Sequence, residues 1–302
     1  MLKVLITGAN GQLGQSFKSL QSTALARGIS LFFADRQTLD ITNLQAIGSY
    51  LAGHSIEIVI NTAAYTGVDA AEEHHHEAQL INAQGAENLA RSCTENAAWL
   101  IQISTDYVFN GATKKGYLES DKVDPLGVYG QTKLAGEQLV EKYHPQALIL
   151  RTSWVFSEFG NNFLKTMLRL GRERDELSIV ADQRGGPSYA PHIAEVVFKL
   201  IDRRQQLGEL SGIFHFSGSP ETCWSHFAEH IFSAGERIAS EFTAPVIHPI
   251  TTSEYPTAAA RPQNSSLDCT KLYSTIGAQS YMWEEGIERS ISALVKDQRF
   301  LL

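Results

Sequence analysis

The sequence contains few cysteines and no long apolar run. Its 302 residues include three cysteines, Cys93, Cys223 and Cys269, an odd and widely spaced set that argues against a framework of disulfide bonds. The first apolar run meets Gly8 after a few residues, too early for a secretory signal peptide. No stretch approaches the roughly 18 apolar residues that span a bilayer. These absences predict a cytoplasmic protein with no membrane partner.

An excess of positive charge is also missing. The chain has 25 Lys and Arg residues against 33 Asp and Glu residues, so its formal net charge is −8 at pH 7. A protein that coats nucleic acid needs a basic face to neutralise phosphates, and we therefore expect no nucleic-acid partner. One or two local arginines can still hold the diphosphate of a small molecule.

Short apolar runs alternate with helical stretches in the first half of the chain. Nearly continuous apolar residues predict buried strands at 2–8, 31–35, 56–64, 99–105 and 147–154. Residues 77–97 between them show helical spacing. Strands that alternate with helices pair in parallel through right-handed crossovers. The pattern predicts an α/β fold with a doubly wound, Rossmann-like parallel sheet.

The alternation becomes less regular after about residue 156. We predict a helix at 161–171 closed by Gly171, a strand at 177–180, a helix at 190–201 and a strand at 212–218. Residues 251–267 lack periodicity and are predicted to form a binding loop. We predict a dinucleotide-binding domain at 1–156 plus about 190–217. A smaller C-terminal substrate-binding lobe would comprise about 157–189 plus 218–302.

A glycine-rich turn follows the first predicted strand. Gly8, Gly11 and Gly14 form a GxxGxxG pattern, in which glycine permits a tight turn, close approach of a pyrophosphate and close helix packing. The N–H groups of the following helix favour an anion. Glycines also simply end strands, but this placement favours a dinucleotide site. The residues of the turn assigned to the cofactor are Gly8, Asn10, Gly11, Gln12, Leu13 and Gly14.

Later segments complete the predicted cofactor site. Asp35 can accept hydrogen bonds from an adenosine ribose, whereas Arg36 can pair with a 2′-phosphate. With both present, NADPH and NADH remain open as cofactors. Asp40 is positioned to bond the adenine amino group, and the small residues near 63 leave room for the cofactor to pass. The further assigned residues are Ile41, Ala63, Ala64 and Tyr65.

A candidate catalytic set combines two hydroxyls with an ammonium. Tyr129 and Lys133 are four residues apart and so share one helix face. We expect the cation to lower the pKa of the phenol and make Tyr129 a usable acid or base, while Lys133 also binds the nicotinamide ribose. Thr105 ends the predicted strand 99–105, where ligands lie in a doubly wound sheet. Both hydroxyls would then polarise one substrate carbonyl.

The chain resembles the extended short-chain dehydrogenase/reductase superfamily and, within it, the dTDP-4-dehydrorhamnose reductases. The resemblance extends nearly end to end. It is carried by LITGANGQLG (5–14), NTAAYTGVDAAE (61–72), STDYVFNG (104–111), VYGQTKLAGE (128–137), RTSWVF (151–156), NNFLKTMLRL (161–170), DQRGGPS (182–188) and ARPQNSSL (260–267).

The resemblance implies NAD(P)H-dependent reduction of the C4 ketone of dTDP-4-dehydro-β-L-rhamnose to dTDP-β-L-rhamnose. Tyr129 would donate the proton, Lys133 would tune it, and Thr105 would orient the ketone. Trp154 is implied to line the sugar pocket and Arg261 to hold the diphosphate. The remaining residues implied near the substrate are Asp106, Asn162, Lys165, Gln183 and Asn264.

Two differences from related sequences bear on the predicted reaction and on the predicted metal content. Sugar 4,6-dehydratases of the superfamily carry Thr-Asp-Glu at this strand end, whereas this chain has Thr105, Asp106 and Tyr107. The missing carboxylate favours simple reduction. Some family members dimerise around a magnesium ion held by glutamates, but Gln15-Ser16 and Pro191 stand at those positions here. We therefore predict no metal, and a monomer or homodimer.

Other interpretations remain for one histidine run and for the function of the chain. The run His74-His75-His76 is predicted to be a solvated helix start, because consecutive side chains on a helix point in different directions. Another NDP-sugar 4-reductase or an epimerase would use the same fold. A non-catalytic regulatory subunit would also keep it, although the presence of Thr105, Tyr129 and Lys133 together argues against that role.

Overall fold

The computed structural model describes residues 1–298, and its central feature is a parallel sheet. Within those residues six strands pair in the order β2-β1-β3-β4-β5-β10, every pair being parallel. The strands are β1 Leu2–Thr7, β2 Ile29–Ala34, β3 Ile58–Asn61, β4 Trp99–Thr105, β5 Leu148–Thr152, β6 Val155–Phe156, β7 Glu176–Val180, β8 Arg184–Gly185, β9 Ser188–Tyr189, β10 Gly212–Phe216, β11 Thr222–Cys223 and β12 Val246–Ile250.

Helices connect the strands and cover the sheet. They are α1 Gln12–Ser19, α2 Gln21–Ala26, α3 Leu44–His54, α4 Val68–Ala71, α5 His75–Gln79, α6 Gly85–Glu95, α7 Val128–Tyr143, α8 Phe163–Glu173, α9 Ala190–Leu207, α10 Trp224–Ile238, α11 Thr270–Ile276 and α12 Trp283–Lys296. A π-helical turn occupies Leu80–Gln84, and 3-10 turns occupy Asp106–Val108 and Thr252–Glu254.

Two apolar layers bury the sheet on its opposite faces. Successive residues of β1 alternate between them: Val4 and Ile6 pack with α1 and α9, whereas Leu5 packs with α3 and α6. A strand buried on both faces needs apolar residues at consecutive positions. This requirement explains the nearly continuous apolar runs, and the predicted doubly wound sheet is confirmed.

A third apolar cluster lies apart from the sheet. It joins side chains of α8, α10 and α12 with β7, which pairs in parallel with β12. Phe227 and Trp283 are buried at its centre, with ring centroids 5.5 Å apart. Much of this cluster comes from segments that the sequence assigns to the substrate-binding lobe. The division of the chain into that lobe and a dinucleotide-binding domain stays a prediction.

The structure refines two sequence-based helix predictions. The stretch 77–97, predicted from its helical spacing, is helical and is divided by a π-helical turn between α5 and α6. Gly171 was expected to close a helix, yet α8 continues to Glu173. A Cβ at Gly171 would lie 2.9 Å from Phe232 and 3.0 Å from Phe242, so this glycine permits close packing instead of ending the helix.

The three cysteines are free and buried. Cys93 has no exposed surface and packs as a small apolar side chain in α6. Burial raises the pKa of the Cys93 thiol, because the thiolate loses its hydration. Across residues 1–298, no helix is both long and apolar enough to cross a membrane.

Candidate active site

A cavity of about 1030 Å³ opens at the carboxyl ends of the parallel strands. This position is where ligands bind in doubly wound sheets. Its wall brings together most of the predicted site: Gly8, Asn10, Gly11, Gln12, Leu13, Asp35, Arg36, Asp40, Ile41, Ala63, Ala64, Thr105, Asp106, Tyr129, Lys133, Trp154 and Asn162. Residues far apart in the sequence therefore line one cavity. This cavity extends from the glycine turn to the candidate catalytic set.

Glycine is required at the turn after β1. Gly8 has φ +65°, and a Cβ there would lie 2.7 Å from the backbone nitrogen of Ala63. A Cβ at Gly14 would lie 2.6 Å from the carbonyl oxygen of Gly8. Helix α1 starts at Gln12 behind Gly11, which offers no side-chain cap to the first turn. The uncapped N–H groups and the helix dipole suit a diphosphate.

Hydrogen bonds fix the acidic residues after β2. Asp35 accepts bonds from the backbone nitrogen and hydroxyl of Thr38 at 2.9 and 2.8 Å, and from Asn10 at 2.9 Å. These bonds lower the pKa of Asp35, because they favour its carboxylate. Arg36 is largely exposed, and its Nε lies 3.9 Å from a carboxylate oxygen of Asp40. A hydrogen-bonded anion and an exposed cation thus adjoin at the adenosine end of the predicted site.

Thr105 and Asp106 end β4 inside the cavity. The Thr105 hydroxyl donates to Asp106 Oδ1 at 3.1 Å and accepts the backbone N–H of Tyr107 at 3.2 Å. Burial raises the pKa of Asp106 to about 7, although the hydroxyls of Ser265 and Thr105 oppose the rise. Among the described residues, none forms a hydrogen bond with Asp106 Oδ2.

The pKa of Tyr129 shifts in the direction opposite to the prediction. Burial raises it to about 12 because the phenolate is poorly solvated, while a hydrogen bond with Thr105 lowers it and the charge of Asp106 raises it further. Lys133 Nζ donates to the carbonyl of Ile103 at 2.8 Å, and burial lowers the pKa of Lys133 to about 8. The predicted lowering of the Tyr129 pKa is therefore wrong for this arrangement, since desolvation dominates.

Residues outside the predicted set position the helix that carries Tyr129. The Glu72 carboxylate accepts the backbone N–H of Val128 at 2.8 Å and so caps the start of α7. An anion at this end also favours the helix dipole. A Cβ at Gly130 would lie 2.2 Å from the carbonyl oxygen of Tyr107, so glycine allows α7 to press against the end of β4. Contact at this point brings Tyr129 beside Thr105.

Asn82 links the same helix to the segment after β3. Its side chain exchanges hydrogen bonds with the backbone nitrogen and oxygen of Tyr65 at 2.9 and 3.2 Å. It also donates to the Thr132 hydroxyl at 3.1 Å. Asn82 lies in the π-helical turn, a structure common at functional sites. Tyr65 is held beside the cavity and is not part of its wall.

Two tryptophans form one side of the cavity. The ring centroids of Trp154 and Trp224 are 3.5 Å apart, with an interplanar angle of 6°. Trp154 has φ +46°, which a side-chain-bearing residue rarely adopts. Gly185 leaves room for its indole, because a Cβ there would lie 2.5 Å from the ring. Sequence reasoning missed Trp224, and the one available signal was an aromatic side chain within the predicted substrate-binding lobe.

Asn162 reaches the glycine turn from the start of α8. It donates to Gln12 Oε1 at 2.9 Å and its oxygen accepts the backbone N–H of Lys165 at 3.2 Å, which caps the helix. The Lys165 ammonium donates to the Gly160 carbonyl at 2.8 Å. The bond from Asn162 to Gln12 connects the start of α8, with the predicted substrate residues Asn162 and Lys165, to the predicted cofactor turn.

The other predicted substrate residues stand behind the wall. Among the described residues the lining does not include Lys165, Gln183, Arg261 or Asn264. Gln183 accepts a bond from Trp224 Nε1 at 3.2 Å and donates to the Thr252 hydroxyl at 3.1 Å. Asn264 donates to the carbonyls of Thr113 and Lys115, which fixes the loop between them. Gln183 therefore supports the wall from outside.

Arg261 is paired in a bidentate ion pair. Its Nη1 and Nη2 donate to the two carboxylate oxygens of Asp69 at 3.0 and 2.7 Å. These bonds lower the pKa of Asp69, and Arg261 also contacts Tyr107, which lines the cavity. Arg261 thus lies behind Tyr107, which lines the cavity, and Asp69 fixes the orientation of its guanidinium.

Within residues 1–298, no three His, Cys, Asp or Glu side chains are grouped so as to hold a metal ion. His74, His75 and His76 are exposed. The His75 ring contacts the Glu72 carbonyl at 2.9 Å. The absence of a metal and the choice between monomer and homodimer both stay predictions.

Comparisons with known proteins agree along nearly the whole chain. A family model described as the RmlD substrate binding domain matches residues 2–296. The dTDP-4-dehydrorhamnose reductase of Aggregatibacter actinomycetemcomitans is 42% identical over 293 residues, covering 95% of this chain and 98% of that relative. The chain belongs to the dTDP-4-dehydrorhamnose reductase family. The resemblance predicted from the motifs is confirmed.

Solved structures of proteins in this family share the fold. A dTDP-4-dehydrorhamnose reductase from Clostridium acetobutylicum is 39% identical and superimposes with a TM-score of 0.88, covering 97% of this chain and 100% of its own. The dTDP-4-dehydrorhamnose reductase from Bacillus anthracis, solved in complex with NADP, is 40% identical with a TM-score of 0.86. It covers 96% of this chain and 98% of its own.

Proposed function

We propose that this chain is an NAD(P)H-dependent reductase that converts the C4 ketone of dTDP-4-dehydro-β-L-rhamnose into the alcohol of dTDP-β-L-rhamnose. One observation carries the proposal: the hydroxyls of Thr105 and Tyr129 are hydrogen-bonded to each other in a cavity that Lys133 and the glycine turn also line. Membership of the family supports the sugar-nucleotide substrate.

The residues around the glycine turn fit a dinucleotide. Gly8 and Gly14 leave no room for a Cβ, and the start of α1 offers uncapped N–H groups for the diphosphate. Asp35 and Arg36 lie where the adenosine ribose would bind. When bound, a reduced nicotinamide supplies the hydride that the reduction requires. This role needs a cofactor that binds and leaves in each turnover.

The protonation states at the catalytic set suit reduction. With a pKa of about 12, Tyr129 keeps its proton at neutral pH and can donate it to the ketone oxygen. With a pKa of about 8, Lys133 is mostly cationic there and can stabilise the phenolate that forms. Thr105 can donate a second hydrogen bond to the same oxygen and hold the ketone in position.

The residue after Asp106 disfavours elimination of water. Tyr107 occupies that position, and burial raises the pKa of its phenol. The phenol therefore stays neutral. Asp106 has no neighbouring carboxylate with which to share the acid and base roles that elimination requires. Reduction remains the function that this site supports best, in preference to dehydration.

The proposal is tested by the consumption of reduced nicotinamide. Purified protein, NADPH or NADH, and dTDP-4-dehydrorhamnose generated in situ should give stoichiometric cofactor oxidation and dTDP-rhamnose as the product. Tyr129→Phe should abolish turnover while cofactor binding persists, because the donor proton is lost. Tyr255→Phe, at an exposed tyrosine, is the matched control. Cofactor binding without net oxidation would refute the reductase and favour an epimerase or a regulatory subunit.

A further inference from the structure

Glu137 lies one helical turn beyond Lys133 on the catalytic helix. Tyr129, Lys133 and Glu137 follow at intervals of four residues, so they share one face of α7. Glu137 is 2% exposed, and buried carboxylates require a partner that offsets the loss of hydration. The proposed reaction assigns it no role.

Arg151 of β5 holds this carboxylate in a fixed orientation. Its Nε lies 3.0 and 3.2 Å from the two carboxylate oxygens, and its Nη2 lies 2.6 Å from Oε2. Both side chains are 2% exposed. A bidentate bond of this kind restricts the rotation of both groups. The negative charge therefore has a defined place beneath the catalytic set.

His215 completes the setting of Arg151. The His215 Nδ1 lies 3.0 Å from the Tyr117 carbonyl, which can only accept, so Nδ1 carries the proton. Its Nε2 is then the acceptor for Arg151 Nη1 at 3.4 Å. Burial and the charge of Arg151 lower the pKa of His215 to about 3, so the imidazole is neutral. The cluster keeps the same charges across the range near neutral pH.

Among residues 1–298, the direct hydrogen-bond acceptor of Lys133 is uncharged: it is the Ile103 carbonyl. The elements packed against α7 are β4, α4, α5, α6, the π-helical turn and the turn at 106–108. The charged or titratable groups on them and on the facing part of α7, with Arg151, are Asp69, His75, His76, Glu77, Glu87, Arg91, Cys93, Glu95, Asp106, Tyr107, Tyr129, Glu137, Glu141, Lys142 and Tyr143. Of these described groups, Glu137 is the one whose charge raises the pKa of Lys133 against the effect of burial.

We propose that Glu137, fixed by Arg151, is a positioning residue that keeps Lys133 charged beneath Tyr129. The proposal rests on the reductase function. Glu137 contacts neither the ketone nor the nicotinamide, and it acts on the reaction through Lys133 alone. Its side-chain charge, more than its packing, is what the reaction requires.

The pH profile of turnover tests this role. In Glu137→Gln, the alkaline limb of kcat should move to lower pH by ~1 unit, because Lys133 loses its nearby opposite charge. Glu141→Gln, one turn further along at an exposed position, is the matched control and should leave the limb unchanged. A Glu137→Gln enzyme that folds and keeps the original limb would overturn the proposal.

A second variant separates charge from folding. Glu137→Gln leaves Arg151 buried without its partner, which can unfold the protein. Glu137→Gln combined with Arg151→Met removes both buried charges and should still shift the limb to lower pH, by less than Glu137→Gln alone because the Arg151 cation is gone too. The titration of Lys133 Nζ, followed by NMR in protein labelled at lysine nitrogen, should show the shift without any substrate. If the wild-type protein does not turn over, the reductase assignment fails, whereas an unshifted Lys133 titration rejects this inference separately.

Discussion

The indole rings of Trp154 and Trp224 stack in parallel at 3.5 Å, although seventy positions separate them in the chain. Trp224 also donates to Gln183, which in turn binds the Thr252 hydroxyl. The Thr252 backbone and hydroxyl are anchored on Asp182. The wall of the cavity next to the proposed sugar site is therefore held from three separate segments.

Replacing Trp224 should weaken substrate binding more than catalysis. Aromatic pairs contribute about 1 kcal/mol beyond burial, so we expect Trp224→Ala to raise KM for the nucleotide sugar by roughly fivefold. Trp224→Phe keeps a ring against Trp154 and should recover most of the loss. Steady-state kinetics at saturating NADPH measure both constants. An unchanged KM in Trp224→Ala would show that the stack does not shape the sugar site.

Arg261 should govern the affinity for the nucleotide diphosphate. Arg261→Lys keeps the positive charge but loses the bidentate fork that Asp69 now orients, so KM for the nucleotide sugar should rise about tenfold. The affinity for NADPH should change little. Arg169→Lys, in an exposed ion pair with Glu173, provides the control. Equal losses of NADPH and substrate binding would instead indicate a general structural role.

The glycine turn should tolerate no side chain at residue 14. A Cβ there would lie 2.6 Å from the Gly8 oxygen, so Gly14→Ala should cost about 1–3 kcal/mol in the free energy of unfolding and weaken NADPH binding. Gly48→Ala, in the interior of α3 with open space at its Cβ, should stabilise the protein by about 1 kcal/mol. Urea unfolding distinguishes the two. A Gly14→Ala protein of wild-type stability would contradict the close contact.

Asp106 should make stability depend on pH. Its pKa is raised from 3.8 to about 7 in the folded state, so the folded protein binds the extra proton between these values. The contribution is therefore most favourable below about pH 4 and is lost as the pH rises through 7. Relative to Asp106→Asn, the wild-type protein should lose up to about 4 kcal/mol over this range, at about 1.4 kcal/mol per unit. Urea unfolding of both proteins at several pH values measures the difference, and a constant difference would refute the shift.

The cofactor end of the site could be predicted from the sequence because its signals are local. Gly8 has a positive φ, a Cβ at Gly14 would meet the backbone of its own turn, and Asp35 follows directly from a buried strand. The alternation of apolar runs likewise fixes a parallel sheet through local periodicity. Tyr129 and Lys133 are four residues apart, so the helical period alone predicts that they share one face of the helix.

The rest depends on contacts between distant segments. Glu72 caps α7 across 56 residues, and Trp224 reaches Trp154 from the start of another helix, so neither leaves a pattern at a fixed spacing. The predicted lowering of the Tyr129 pKa is wrong for a related reason. Proximity of Lys133 can be inferred from helical spacing, but the loss of hydration depends on everything packed around both groups.

The edge of the central sheet beyond β5 is supplied by β10, which pairs through Gly212–Phe216 with Leu148–Thr152. A fragment that stops before residue 212 would leave the backbone of β5 unpaired along that side. Such an open edge recruits other chains. A fragment that keeps the whole six-stranded sheet must therefore extend at least to residue 216. During synthesis on the ribosome, the sheet stays incomplete until residue 216 has emerged.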